Sequence, residues 1–96
     1  MNKKVIIESV VKKSAYDGLL SFLQSNLSTV RGFEGCFGVR VFLDKESGEM
    51  IFDEEWLSVD QHQKYIKFIA ENGVMDKLIA HLESPPKIKY FDHLTI

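Results

Sequence analysis

Two apolar runs separated by one short polar segment constrain the fold of this chain most. The first, Cys36–Leu43, is rich in Val and Phe, and the second, residues 50–57, has three acidic residues flanked by apolar ones and contains the sole tryptophan. Residues 44–48 between them are charged, serine or glycine. Val and Phe favour strands, whereas such polar segments form turns. The pattern predicts a β-hairpin.

Two further strands flank this hairpin in the sequence. Residues 5–11 are mostly β-branched, which favours a well-covered strand near the start of the chain. Residues 88–94 follow a Ser-Pro-Pro segment and predict a last strand.

Two helical regions connect these strands. Ser14 begins a capping-box spacing and predicts a helix that runs to about residues 28–30. Ser58 repeats the spacing at the start of a second helix. The pair Asn72-Gly73 favours a left-handed stop, after which residues 74–82 predict a second, short helix.

The resulting order, β-α-β-β-α-β with a split second helix, is that of the ferredoxin-like α+β fold, and residues 1–96 are enough for one such domain. Right-handed crossovers place all helices on one side of a four-stranded antiparallel sheet. The other side then has no cover, although the strands carry apolar residues on both sides. Such a face is larger than a soluble monomer exposes, so a homodimer through the sheet face is expected.

The strand alternation assigns side chains to the two sides of the sheet. In the first strand, Ile6 and Val10 point away from Val5 and Ile7. In the second strand, one side carries Phe42 and the other carries Phe37, Val39, Val41 and Leu43. We expect a lysine at Val39 or Val41 to disperse the dimer.

The third strand places Phe52, Glu54 and Trp56 on one side. If Phe42 pairs with Phe52, Arg40 lies opposite Glu54 and forms a cross-strand ion pair. One interpretation is that Trp56 is a packed core ring beside a plain ion pair. The other is a pocket between sheet and helices, in which the ion pair orients a polar ligand.

His62 and Tyr65 lie three residues apart on the second helix and share its inner face. Histidine titrates near neutral pH and a tyrosine donates hydrogen bonds, so the pair is suited to deprotonating a bound phenol. A hydrogen-bonded histidine at a helix boundary without a catalytic role is the alternative.

Several function classes are excluded by composition. The formal charge is −2 and the lysines are scattered, which argues against nucleic-acid binding, and no segment is long enough to span a membrane. Cys36 is the single cysteine, which rules out an intrachain disulfide and fits a reducing cytoplasm. His81 and His93 have no partner at metal-ligand spacing, so we expect neither metal nor cofactor.

The chain resembles the antibiotic biosynthesis monooxygenase family of dimeric α+β barrels over nearly its whole length. The resemblance rests on four short sequence segments: Val5-Ile6-Ile7, the helix with Phe22 and Leu23, the turn Glu34-Gly35-Cys36, and Glu54-x-Trp56-x-Ser58. It implies oxidation of a small aromatic quinol, phenol or polyketide-like molecule by O2 without metal or flavin. The pocket shields the radical pair formed by the substrate and oxygen from water.

The resemblance also assigns roles. Trp56 corresponds to the family's pocket aromatic. Many relatives carry a histidine where this chain has Tyr65, and the polyketide-oxidising members carry an asparagine where it has Phe52. The expected site has Trp56 as wall, His62 or Tyr65 as proton handler and Arg40 as anion stabiliser. The substrate-binding residues are Arg40, Phe52, Glu54 and Trp56. The alternative function is a non-catalytic dimeric barrel that binds a small apolar ligand or acts as an accessory protein.

Overall fold

A computed structural model describes residues 2–96. Its elements follow the predicted order, with bounds that differ from prediction by one or two residues at most ends. They are β1 (Lys3–Val10), α1 (Tyr16–Arg31), β2 (Cys36–Leu43), β3 (Glu49–Trp56), α2 (Val59–Glu71), α3 (Val74–Ala80) and β4 (Lys87–Asp92). A 3-10 turn, Lys13–Ala15, precedes α1.

The four strands form one antiparallel sheet in the order β2-β3-β1-β4. The two central strands, β3 and β1, are separated in sequence by α1 and β2, as the ferredoxin-like fold requires. The predicted fold is confirmed. No helix in the described range 2–96 is long and apolar enough to cross a membrane.

The start and end of α2 follow local sequence rules. The Ser58 hydroxyl accepts a hydrogen bond from the Gln61 backbone N–H at 3.2 Å. After Asn72, Gly73 has a φ of 86°, the left-handed stop that its lack of a side chain permits. The prediction for α1 is wrong in one respect: Ser14 lies inside the 3-10 turn, and the residue that caps α1, Ala15, offers no side-chain acceptor.

The alternation predicted for β3 is confirmed. Met50, Phe52, Glu54 and Trp56 are all buried on the helical side of the sheet, where Val5 and Ile7 of β1 meet them. This places a carboxylate inside the apolar layer between sheet and helices.

The predicted register of the hairpin is wrong by one residue. Val41 pairs with Phe52, and Arg40 pairs with Asp53 instead of Glu54. Side chains alternate with period two, so a one-residue slip moves a side chain to the opposite face. Arg40 therefore lies on the face without helices, and the expected Arg40–Glu54 ion pair does not form.

We call the side of the sheet without helices the uncovered face. The β2 side chains that lie on it differ from those expected. A β-bulge between Cys36 and Gly38 turns Phe37 outward, where it is 59% exposed. Val39 is buried and Val41 half-buried against the core on the helical side. The prediction that a lysine at either valine tests the dimer is thus wrong, because a lysine at these positions would disrupt the core instead of the uncovered face.

Candidate functional site

A small apolar cavity lies between the sheet and all three helices. Its volume is about 50 Å³. An engineered protein cavity that binds benzene measures about 150 Å³, so this one is about a third of that size. Its apolar wall includes Leu23, Leu27, Ile69, Met75, Leu78 and Ile88, and its polar contributors in the described chain are Asn26, Glu54 and Tyr65.

Glu54 places a carboxyl group in this wall, with 3% of the residue exposed. The indole Nε1 of Trp56 donates a hydrogen bond to Glu54 Oε1 at 2.7 Å. Burial raises the pKa of Glu54 to about 7 because the charged form loses its water, and the Trp56 hydrogen bond partly offsets this while the negative charge of Asp53 adds to it. Glu54 therefore exchanges a proton near neutral pH.

His62 is fully buried behind Glu54. Its Nδ1 lies 2.8 Å from the hydroxyl of Tyr90, and its Nε2 lies 3.7 Å from Glu54 Oε1. Within residues 2–96, Nε2 has no hydrogen-bond partner. Burial lowers the pKa of His62 to about 4, so the ring is neutral at pH 7.

Tyr65 brings a phenol to the cavity wall. Its ring packs 5.6 Å from that of Trp56 and 5.2 Å from that of Phe33. Burial raises the pKa of Tyr65 to about 12, with the negative charges of Glu54 and Cys36 as smaller causes. The phenol stays protonated at neutral pH and is available as a hydrogen-bond donor.

The structure brings together most of the side chains that the sequence singled out. Phe52, Glu54 and Tyr65 line the cavity. Trp56 and His62 lie behind Glu54 with their rings 5.1 Å apart, in contact with the carboxylate but outside the wall. Arg40 lies across the sheet, so it cannot stabilise an anion in this cavity.

Sequence reasoning missed Tyr90 and Asn26. Alternation along the last strand places Tyr90 on the same side as Ile88, and that signal was available in the sequence. Its contact with His62 joins β4 to α2 and depends on tertiary packing. Asn26, whose amide also donates to the Phe22 carbonyl at 2.8 Å, lies on the inner side of α1.

Neither the cysteine thiol nor the potential metal-ligand side chains form a second candidate site. Burial raises the pKa of the Cys36 thiol, which disfavours the thiolate. In the described part of the chain, no three His, Cys, Asp or Glu side chains are grouped closely enough to hold a metal ion.

No protein-family model and no curated protein matches the sequence. Solved structures do share the fold. A crystal structure of an antibiotic biosynthesis monooxygenase has a TM-score of 0.84 at 20% identity and covers 97% of this chain and 99% of its own. The Rv0793 protein of Mycobacterium tuberculosis has a TM-score of 0.82 at 16% identity and covers 100% and 98%.

A monooxygenase from Streptomyces coelicolor, solved in complex with nanaomycin D, has a TM-score of 0.79 at 11% identity. It covers 99% of this chain and 89% of its own. At these identities the comparisons show that the fold is shared with antibiotic biosynthesis monooxygenases, in agreement with the resemblance in the sequence.

Proposed function

We propose that this protein is a cofactor-independent monooxygenase that oxidises a small phenol, quinol or polyketide-like aromatic with O2. The observation that carries the proposal is Glu54, a buried carboxyl group with a pKa of about 7 in the wall of an apolar cavity. A general base works best when its pKa lies near the operating pH. The shared fold with named monooxygenases supports the same reaction class.

In the proposed reaction, the Glu54 carboxylate accepts the proton of a substrate hydroxyl. The Tyr65 phenol donates a hydrogen bond to the resulting anion, and it keeps its own proton because its pKa is about 12. The electron-rich anion passes one electron to O2, and the radical pair combines to a carbon-bound peroxide. The apolar wall keeps water away from these species.

The electron count closes without a cofactor. A phenol with a free para C–H bond and O2 give a para-quinone and water, and the substrate supplies all four electrons. One oxygen atom enters the product and the other leaves as water. The proton that Glu54 takes in the first step returns when the O–O bond breaks, so the carboxylate is regenerated.

An aromatic ring requires more than 50 Å³, so the wall must yield when substrate binds. Helix α3 is the most suitable part of the wall to move. It contributes Val74, Met75 and Leu78 to the cavity, yet none of its residues is fully buried. A seven-residue helix with no fully buried residue is displaced more readily than α1 or α2, each of which has buried residues.

The alternative proposal is a non-catalytic barrel that binds a small apolar ligand. The almost wholly apolar cavity wall favours this function, because Asn26, Glu54 and Tyr65 are few polar groups for a reactive site. It differs from the first in predicting binding without oxygen consumption.

We further propose that the uncovered face pairs with a second copy of the chain. It exposes large apolar side chains on all four strands: Val10, Phe37, Phe42, Ile51 and Phe91. Charges of both signs lie among them, including the Lys4–Asp53 pair at 2.7 Å and the Lys89–Glu8 pair at 2.9 Å. A face of mixed sign suits self-association, since it does not repel its own copy. With a single cysteine, we assign this dimer to the cytoplasm.

The decisive experiment is oxygen consumption with a panel of hydroquinones, anthrones and naphthols. Glu54→Gln removes the proposed base and should lower the rate at least about a hundredfold. Glu55→Gln, a change to the exposed neighbouring carboxylate on the uncovered face, is the matched control and should leave it unchanged. Saturable binding of these compounds with no oxygen uptake supports the non-catalytic alternative.

A further inference from the structure

His62 and Tyr90 form an arrangement that the proposed base does not itself require. His62 is fully buried, yet both ring nitrogens face groups that carry a proton, Tyr90 on one side and Glu54 on the other. Tyr90 is half-buried on the edge strand β4, and the exposed Gln63 side chain lies near its hydroxyl. The three groups lead from the cavity wall to the surface.

We infer that Glu54, His62 and Tyr90 form a proton relay between the cavity and solvent, in which ionisation of Glu54 is accompanied by a change of tautomer in His62. Its role in turnover rests on the proposed function, whereas the relay itself is a property of the protein without substrate. His62 and Tyr90 do not line the cavity, so they act through Glu54.

The separation of His62 and Glu54 is too short for a bridging water and one small movement from a hydrogen bond. A water hydrogen-bonded to both atoms would hold His62 Nε2 and Glu54 Oε1 about 4.5–5.5 Å apart, but they are 3.7 Å apart. A rotation of the imidazole that shortens this separation by less than about 1 Å forms a hydrogen bond. The unpartnered, buried Nε2 gains from that movement, because an unsatisfied buried polar atom is costly.

The proton count closes with His62 neutral throughout. In the starting state Glu54 is protonated and faces the Nε2 lone pair, while Nδ1–H donates to Tyr90. The Glu54 proton then passes to Nε2, the Nδ1 proton passes to the Tyr90 oxygen, and the original Tyr90 proton goes to water. Glu54 ends as a carboxylate that accepts from Nε2–H, and Tyr90 donates to Nδ1.

The proposed oxidation takes one proton from the substrate and returns one to the departing oxygen. Glu54 itself carries that proton, so the relay serves the step before it. In a molecule that binds substrate with Glu54 protonated, one outward run removes the Glu54 proton and leaves the carboxylate that the oxidation needs. Among the side chains that line the cavity, only Asn26, Glu54 and Tyr65 are polar, so the wall itself offers few other proton carriers.

The charges around Glu54 decide when the relay operates. The ionisable groups that face it from the surrounding elements are Cys36 on β2, His62 and Tyr65 on α2, and Tyr90 on β4, while the charge of Asp53 acts from the opposite face of β3. Burial raises the pKa of Cys36, Tyr65 and Tyr90 and lowers the pKa of His62, so all four are neutral at pH 7. Glu54 is the member of the group that titrates there.

The test is 15N NMR of the histidine rings in the protein without substrate, between about pH 5.5 and 9. We expect His62 to stay neutral and change from Nδ1–H to Nε2–H with the midpoint of the Glu54 carboxyl titration. Glu54→Gln should abolish the change. A single His62 tautomer across the titration, or a protonated imidazolium, overturns the relay.

Tyr90→Phe tests the outer half of the path. It should slow solvent exchange of the His62 ring proton at least about tenfold and lower kcat near pH 7 by a similar factor without changing KM. Tyr16→Phe is the matched control, because it removes a buried phenol oxygen that has no partner within residues 2–96. Equal exchange in both variants overturns the path through Tyr90.

These readouts separate the two proposals. A tautomer change in a protein that oxidises none of the panel leaves the relay in place and removes the monooxygenase. Oxidation of a panel compound by a protein whose His62 keeps one tautomer removes the relay and leaves the monooxygenase in place.

Discussion

Trp56 Nε1 donates to Glu54 Oε1 at 2.7 Å, although the two residues lie on the same strand, two positions apart. Their side chains point to the same face, so the bond joins neighbours within one strand. It is the hydrogen bond that lowers the pKa of Glu54 against the effect of burial. The tryptophan thus acts on the carboxylate while its ring packs in the core.

Replacing Trp56 by Phe should separate these two roles. The smaller ring costs about 1–2 kcal/mol of packing and the lost hydrogen bond about 1 kcal/mol, which the domain survives. Without its donor, Glu54 should have a pKa above 7, and the rising limb of the pH–rate profile should move to higher pH. Urea unfolding and the profile measure the two effects. An unmoved profile in a destabilised protein would mean that the ring serves packing alone.

The pH dependence of stability should reveal Glu54 and His62 as opposing contributors. Glu54 binds its proton more tightly when folded, with a pKa of about 7 against 4.5, so its contribution to stability falls as pH rises through that window. His62 has a folded pKa of about 4 against 6.5, so its contribution rises with pH there. The two nearly cancel between these limits, and a net fall remains above pH 6.5.

Glu54→Gln should remove one side of this balance. The free energy of unfolding of the variant should rise by about 2–3 kcal/mol from pH 4 to pH 6.5 and then level off. Each unit by which the folded pKa of His62 lies below its ordinary value contributes up to about 1.4 kcal/mol. Urea unfolding across this range measures the effect, with Glu55→Gln as the control that keeps the parent profile. A flat profile in Glu54→Gln would contradict the assigned His62 pKa.

Phe42→Lys should convert the proposed dimer to a monomer without unfolding the chain. Phe42 is 53% exposed on the uncovered face, opposite Ile51, so a lysine there disturbs only the proposed interface. Leu20→Lys, at a similarly exposed leucine on α1, is the control and should leave the dimer intact. Sedimentation equilibrium at micromolar concentration distinguishes these results. An unmodified protein that sediments at 11.0 kDa would show that the face is not self-paired.

Leu27→Ala should enlarge the cavity. Leu27 lines it from α1 and is half-buried, so we expect a loss of about 1–3 kcal/mol and tighter binding of bicyclic quinols. Leu20→Ala on the same helix should change neither property. Thermal shifts with and without 1-naphthol report both effects, because a ligand stabilises the state that binds it. If naphthol stabilises neither Leu27→Ala nor the parent, the cavity is not the ligand site.

Local patterns in the sequence were sufficient for the elements and their order. Period-two alternation placed Glu54 and Trp56 on one side of β3, and the cap at Ser58 and the stop at Gly73 bounded α2. These features depend on residues within one or two turns of each other, so the local sequence is enough to predict them.

The tertiary structure alone decided the side of the sheet on which Arg40 lies and the partner that Glu54 has. Strand register depends on the whole hairpin and on a bulge at Cys36, and one residue of slip replaced the expected Arg40–Glu54 ion pair by a carboxylate bonded to Trp56. The contact of His62 with Tyr90 joins residues 28 positions apart, and the pKa of Glu54 depends on burial by elements from the whole chain. Desolvation is a property of the packed interior, and no local pattern specifies it.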